Sequence, residues 1–119
     1  FEHYDAPLDE IRRIAELGDA VIFSTLLLPD PVPKPNEWWY YSTSTGQHIS
    51  FYTKRALVHC AELIGRHYVG SNGVHIFSRQ RIPYWKFRLC ISRLGRLLVR
   101  NRRQSLLAQD YERLTGEKI

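Results

Sequence analysis

Between residues 29 and 37 the chain reads PDPVPKPNE, with Pro29, Pro31, Pro33 and Pro35 at alternate positions. No other stretch limits the fold as strongly. Proline has no N–H to donate, and its ring clashes with the preceding helical turn, so the run forms neither a helix nor a central strand. It has to cross the surface in extended form. At 119 residues the chain is one domain at most, so this crossing joins two halves of it. The aromatic block that follows, Trp38 to Tyr41, reads either as a packing lid or as the wall of a ligand pocket.

Upstream, DAPLDEIRRIAELGD reads as a helix. Asp5 is the expected N-cap, Pro7 lies in the first turn, and Asp9 and Glu10 sit near the positive end of the helix dipole. Leu8, Ile11, Ile14 and Ala15 make one apolar stripe, and Gly18 is the expected residue just past the end. AVIFSTLLL, residues 20–28, is apolar on both alternating faces, which predicts a strand buried in a parallel sheet and covered on each side.

Downstream, Thr53 is the expected cap of a helix over 54–64. Its buried stripe is Leu57, Cys60, Ala61 and Ile64, and Gly65 ends it. Asn72-Gly73 between two β-like runs predicts a tight hairpin with strands near 66–70 and 74–79. Residues 84–103 pattern as a long amphipathic helix. Phe87, Ile91, Leu94 and Leu98 share one face, and Lys86, Arg93, Arg96, Arg100 and Arg103 lie on the other. A last short helix is expected from Ser105.

The formal charge of +5 is concentrated. Residues 79–103 hold nine Lys or Arg and no acid, whereas residues 1–78 hold six basic and nine acidic side chains. The basic character therefore belongs to one segment. Cys60 and Cys90 are read as buried reduced thiols, which fits a reducing, cytoplasmic compartment. No Cys or His cluster has zinc spacing, and no apolar run is long enough for a transmembrane helix. The chain opens on FEHYDAP without Met or a signal-peptide pattern, and it is read as a piece of a longer protein.

The order helix, strand, long loop, helix, strand, tight hairpin, strand argues for an α/β sheet with right-handed crossovers. Here the chain resembles the class I S-adenosylmethionine-dependent methyltransferases, whose seventh strand is inserted antiparallel beside the sixth. FEHYDAPLDEIRRI is similar to the end of that family's fourth strand, where an EH pair precedes a helix. AVIFSTLL resembles the fifth strand. TGQHISFYTKRALVHCAELIG resembles the next segment of small-molecule methyltransferases, and YVGSNGVHIFSR the sixth and seventh strands. The resemblance covers residues 1–79. It implies a partial Rossmann-like sheet there, the C-terminal half of a methyltransferase domain, with residues 80–119 as a basic helical extension. The family's glycine-rich cofactor loop and the acidic residue ending its second strand would both lie upstream of Phe1, and no GxGxG-like run occurs here. This chain alone is therefore expected to be inactive.

The resemblance implies S-adenosylmethionine as cofactor, with Glu2 and His3 lining the cofactor and acceptor pocket, although chain ends commonly fray. The C-terminal ends of parallel strands are where α/β sheets place ligands. His48, in the polar and aromatically anchored stretch GQHISFY, is the candidate base or acceptor-orienting residue; its alternative role is simply to bond the backbone. A histidine's ordinary pKa lies near neutrality, so a neutral imidazole is available. Gln47, Trp38, Trp39 and Tyr40 are the candidate acceptor contacts. His59, His67 and His75 lie in regular elements and are read as structural or surface residues. The expected acceptor is a small molecule or a saccharide- or lipid-linked one.

The basic helix reads as a solvated face, as a peripheral membrane contact, or, third, as a nucleic-acid surface. The competing function is accordingly a non-enzymatic basic module that binds nucleic acid or anionic membrane through residues 84–103. A half-sheet would also leave an unpaired edge, so the isolated chain is expected to form a homodimer through it.

Overall fold

The computed structural model of the chain describes residues 1–93, 95, 112, 113 and 116. The chain divides into two compact units, Phe1–Arg88 and Leu89–Ile119. The first is a mixed α/β unit. Its elements are α1 (Pro7–Glu16), β1 (Ala20–Ser24), a 3-10 turn (Trp39–Tyr41), α2 (Lys54–Leu63), β2 (His67–Ser71) and β3 (Val74–Ser78), followed by the start of α3 (Tyr84–Ile91). In the second unit the Ser92 hydroxyl donates to the Leu89 carbonyl at 2.6 Å. The helix expected over 84–103 is interrupted: α3 ends at Ile91 and Ser92 is a bend. Most of the remainder to Arg103, and the start of the further helix from Ser105, lie outside the described residues. No described helix is long and apolar enough to cross a membrane.

The three strands form one antiparallel sheet in the order β1-β3-β2. β2 and β3 are joined by the expected two-residue turn: Ser71 pairs with Val74, and Asn72 and Gly73 both take positive φ, 53° and 73°. That is the backbone a two-residue hairpin needs to match strand twist, and Asn-Gly adopts it at low cost. The reversed β3 then slots between β1 and β2, so β1 and β2 run in the same direction without touching.

The expectation of a strand over 20–28 buried in a parallel sheet is corrected. β1 ends at Ser24, its ladder partner is antiparallel, and Ile22 is 70 % exposed. A run of apolar residues signals a strand, but it cannot reveal whether both faces find a cover. Beyond Ser24, Leu27 makes an isolated parallel bridge to Tyr52, and the Leu28 N–H bonds the Tyr52 carbonyl at 2.8 Å.

The core gathers Ile11 from α1, Phe23 from β1, Tyr52, Leu57 and Ala61 from α2, and Phe77 from β3. Leu57 and Phe77 are fully buried, and burying a side chain of that size contributes about 1.5–3 kcal/mol. Phe1 stacks on Phe23 with ring centroids 3.9 Å apart, which carries the N-terminal segment onto the sheet.

Local signals set the helix ends. The Thr53 hydroxyl accepts the Ala56 N–H at 3.1 Å, so α2 starts where expected. α1 differs: its N-cap is Ala6, and Asp5 instead accepts the Ala6 N–H at 2.8 Å. The far end of α1 is closed from a distance by Arg66, whose guanidinium donates to the Ala15 and Gly18 carbonyls. This answers both the orphan carbonyls and the negative end of the dipole.

Both cysteines are free, but the expectation that both are buried holds in part only. Cys60 is half-buried and Cys90 exposed. Burial raises the Cys60 thiol pKa.

Candidate functional site

The segment Phe1–Tyr4 is tied down rather than frayed. The Glu2 carbonyl accepts the N–H groups of Ile49, at 2.8 Å, and Ser50, at 3.0 Å. The Ser50 hydroxyl donates to the Tyr4 carbonyl at 2.6 Å, and the Tyr52 hydroxyl to that of Phe1 at 3.2 Å. These bonds zip residues 1–4 against residues 49–52, and so bring Glu2 and His3 beside His48.

Each imidazole in this cluster is held by one nitrogen. Nδ1 of His3 lies 2.9 Å from the Gln47 carbonyl, and Nδ1 of His48 lies 2.6 Å from the Tyr40 carbonyl. A carbonyl only accepts, so both rings donate Nδ1–H and both Nε2 lone pairs are left to face elsewhere. The two rings meet edge to face with centroids 4.9 Å apart.

Glu2 has a side chain only 14 % exposed. Burial by itself would raise its carboxyl. Hydrogen bonds from its own backbone N–H and from the Tyr40 hydroxyl act in the opposite direction. One of its oxygens lies 3.9 Å from Nε2 of His3. One Glu2, one His3 and one His48 ligand atom all fall within 4.8 Å of one another. Spacing could not announce this cluster, because His48 is 45 positions beyond His3.

Tyr40 anchors the group to the sheet. Its buried hydroxyl contacts Thr25 Oγ1 at 3.3 Å and accepts the Leu26 N–H at 3.2 Å. Thr25 and Leu26 follow β1 directly, so the site lies at the C-terminal end of that strand. Burial foremost, and the Glu2 carboxylate with it, raise the Tyr40 pKa; the neutral phenol remains the donor.

The other expected acceptor contacts are dispersed. Trp38 is half-buried against Tyr40, Tyr41 and Phe51, whereas Trp39 is 77 % exposed. The Gln47 side chain is exposed, and the residue serves the cluster through its carbonyl.

Sequence reasoning missed the role of the proline crossing. A groove of about 530 Å³ runs past His48, walled by Pro33, Pro35, Tyr41, Ile49 and Phe51. The Tyr41 hydroxyl fastens the crossing by donating to the Pro33 carbonyl at 2.8 Å. The stiffness of alternate prolines was legible; the surface they would face was not.

His59 and His67 are exposed and His75 is buried, in keeping with the expectation of surface or structural residues. Its Nε2 lies 3.0 Å from the Thr25 carbonyl and its Nδ1 2.9 Å from the Tyr68 hydroxyl.

Chemically, the site offers a largely buried carboxylate, two imidazoles each held through Nδ1, and a groove lined in part by His48. No protein-family model, curated protein or solved structure matches the chain.

Proposed function

We propose that residues 1–79 form the back portion of a class I methyltransferase-like domain, and that the Glu2–His3–His48 cluster is its catalytic pocket. The observation that carries this reading is the convergence of Glu2, His3 and His48 at the C-terminal end of β1. The resemblance implies that Glu2 and His3 line the pocket, and His48, the candidate base, meets them there. The reversed β3 beside its predecessor β2 supports the same reading.

On this reading the acceptor lies in the proline-walled groove with its nucleophilic atom at His48. The Tyr40 carbonyl fixes the imidazole tautomer, and Nε2 takes the acceptor's proton as the nucleophile develops. The apolar walls orient the acceptor. S-adenosylmethionine, when bound, supplies the electrophilic methyl group. Of the residues described, Glu2 and His3 fit one wall of its pocket. A glycine cradle is not among them: a Cβ on Gly70 would collide with the His75 and Tyr68 side chains, so no space for a ligand lies there. The remaining cofactor contacts then belong to sequence upstream of Phe1.

The test is calorimetry of S-adenosylmethionine with the protein carrying its upstream sequence. Binding that Glu2→Gln weakens at least about tenfold supports the reading. Absence of binding, in folded protein, removes it.

A further inference from the structure

The geometry points to a second use of the same cluster: Glu2, His3 and His48 form a three-ligand site for a divalent transition-metal ion of the zinc class.

Three observations carry it. The first is proximity, with all three ligand atoms within 4.8 Å of one another. Zinc bonds of about 2.0–2.2 Å in tetrahedral array need ligand atoms roughly 3.3 Å apart, so a bound ion would draw the three groups closer together. The second is tautomer control. Metal-binding histidines characteristically donate the ring N–H they do not use to a carbonyl or carboxylate, which orients the ring and raises the basicity of the ligating nitrogen. His3 and His48 both do so, to the Gln47 and Tyr40 carbonyls, and both present Nε2. The third is the carboxylate. A cluster of exposed acids needs no ion, but the Glu2 side chain is only 14 % exposed.

The donor set is two imidazole nitrogens and one carboxylate oxygen. That set suits zinc, cobalt or iron(II) and disfavours magnesium and calcium, which take oxygen ligands. Three protein ligands leave a fourth position for water or an oxygen donor, the arrangement of an open rather than a structural site.

This inference does not rest on the methyl-transfer reading. Both use the Nε2 lone pair of His48, so a bound cation and proton acceptance at that atom exclude each other. The two are separable because metal binding is measured without S-adenosylmethionine or acceptor.

The experiment titrates zinc into the chain by calorimetry, and cobalt(II) with visible absorption as readout. The expected result is one equivalent bound, with cobalt bands of a four- or five-coordinate nitrogen–oxygen site. His48→Ala and Glu2→Gln are each expected to weaken zinc binding at least about tenfold, with folding checked by circular dichroism. His59→Ala, on an exposed histidine paired with Glu62 at 3.6 Å, should leave it unchanged. No cobalt bands in the folded wild-type chain, or binding that only His59→Ala weakens, overturns the inference. The cobalt readout needs no variant, so a substitution that unfolds the chain does not remove the test.

Discussion

Nδ1 of His48 sits 2.6 Å from the carbonyl oxygen of Tyr40. One bond therefore fixes both which nitrogen of His48 carries the proton and which way the other faces. Tyr40 is itself fixed through its hydroxyl to Thr25 and Leu26 at the end of β1. The orientation of a loop histidine is thus set by the sheet.

If His48 accepts a proton during methyl transfer, His48→Ala should lower turnover of the longer protein by about 10²–10⁴-fold, the range of a lost general base. His48→Gln should not restore it. Equal activity in wild type and His48→Ala, measured with methyl-labelled S-adenosylmethionine, contradicts the assignment.

Tyr40→Phe removes a buried hydroxyl and leaves the Thr25 and Leu26 groups without it. It should cost about 1–3 kcal/mol of stability. It also withdraws a hydrogen bond from Glu2. Urea unfolding measures the first effect. A variant as stable as wild type would show that Tyr40 does not hold this end of the sheet.

The bond between Tyr68 and His75 exists because residue 70 has no Cβ. A methyl group there would meet both the Tyr68 hydroxyl and His75 Nδ1, so Gly70→Ala should destabilise by about 1–3 kcal/mol. Thermal unfolding of Gly70→Ala beside wild type decides it, and an unchanged midpoint contradicts it.

Burial lowers the His75 pKa below its ordinary value near 6.5, and the hydrogen bond to the Thr25 carbonyl opposes that only in part. The unfolded chain thus binds this proton more readily than the folded one. The His75 contribution is complete above about pH 6.5 and is lost as pH falls through the folded value. The melting temperature should drop between pH 7 and pH 5, and His75→Gln should flatten that slope. An unaltered slope in the variant contradicts it.

β1 lies at one end of the strand order, and Ile22 is exposed on it. A free edge with an apolar residue invites pairing with another chain. The isolated chain should self-associate in a concentration-dependent way by light scattering, and Ile22→Lys should reduce this. A monodisperse monomer at all concentrations contradicts it.

What could be read from the sequence was local. Thr53 caps α2 because a threonine hydroxyl reaches an N–H three residues on, and Asn72-Gly73 turns because both residues tolerate positive φ. Nothing beyond those few residues is needed to see either. β1 was recognised as a strand, but its covering was misjudged, since AVIF looks the same in a central strand and in one with an exposed face. Arg66 closing α1 was invisible because donor and acceptors lie about fifty positions apart. The site was legible only as separate residues. The resemblance points to Glu2 and His3, and the polar, anchored loop to His48, but their meeting depends on the bonds between residues 1–4 and 49–52. The groove arises from the Pro33–Tyr41 contact, which no short window contains.

On the proposed function, methyl donor and acceptor meet in the pocket at the end of β1. Hydrogen–deuterium exchange on the longer protein, with and without saturating S-adenosylmethionine, tests it most directly. Slowed exchange is expected at Glu2–Tyr4 and across residues 38–49, with α1 unaffected. Unchanged exchange at both segments under saturation would contradict it.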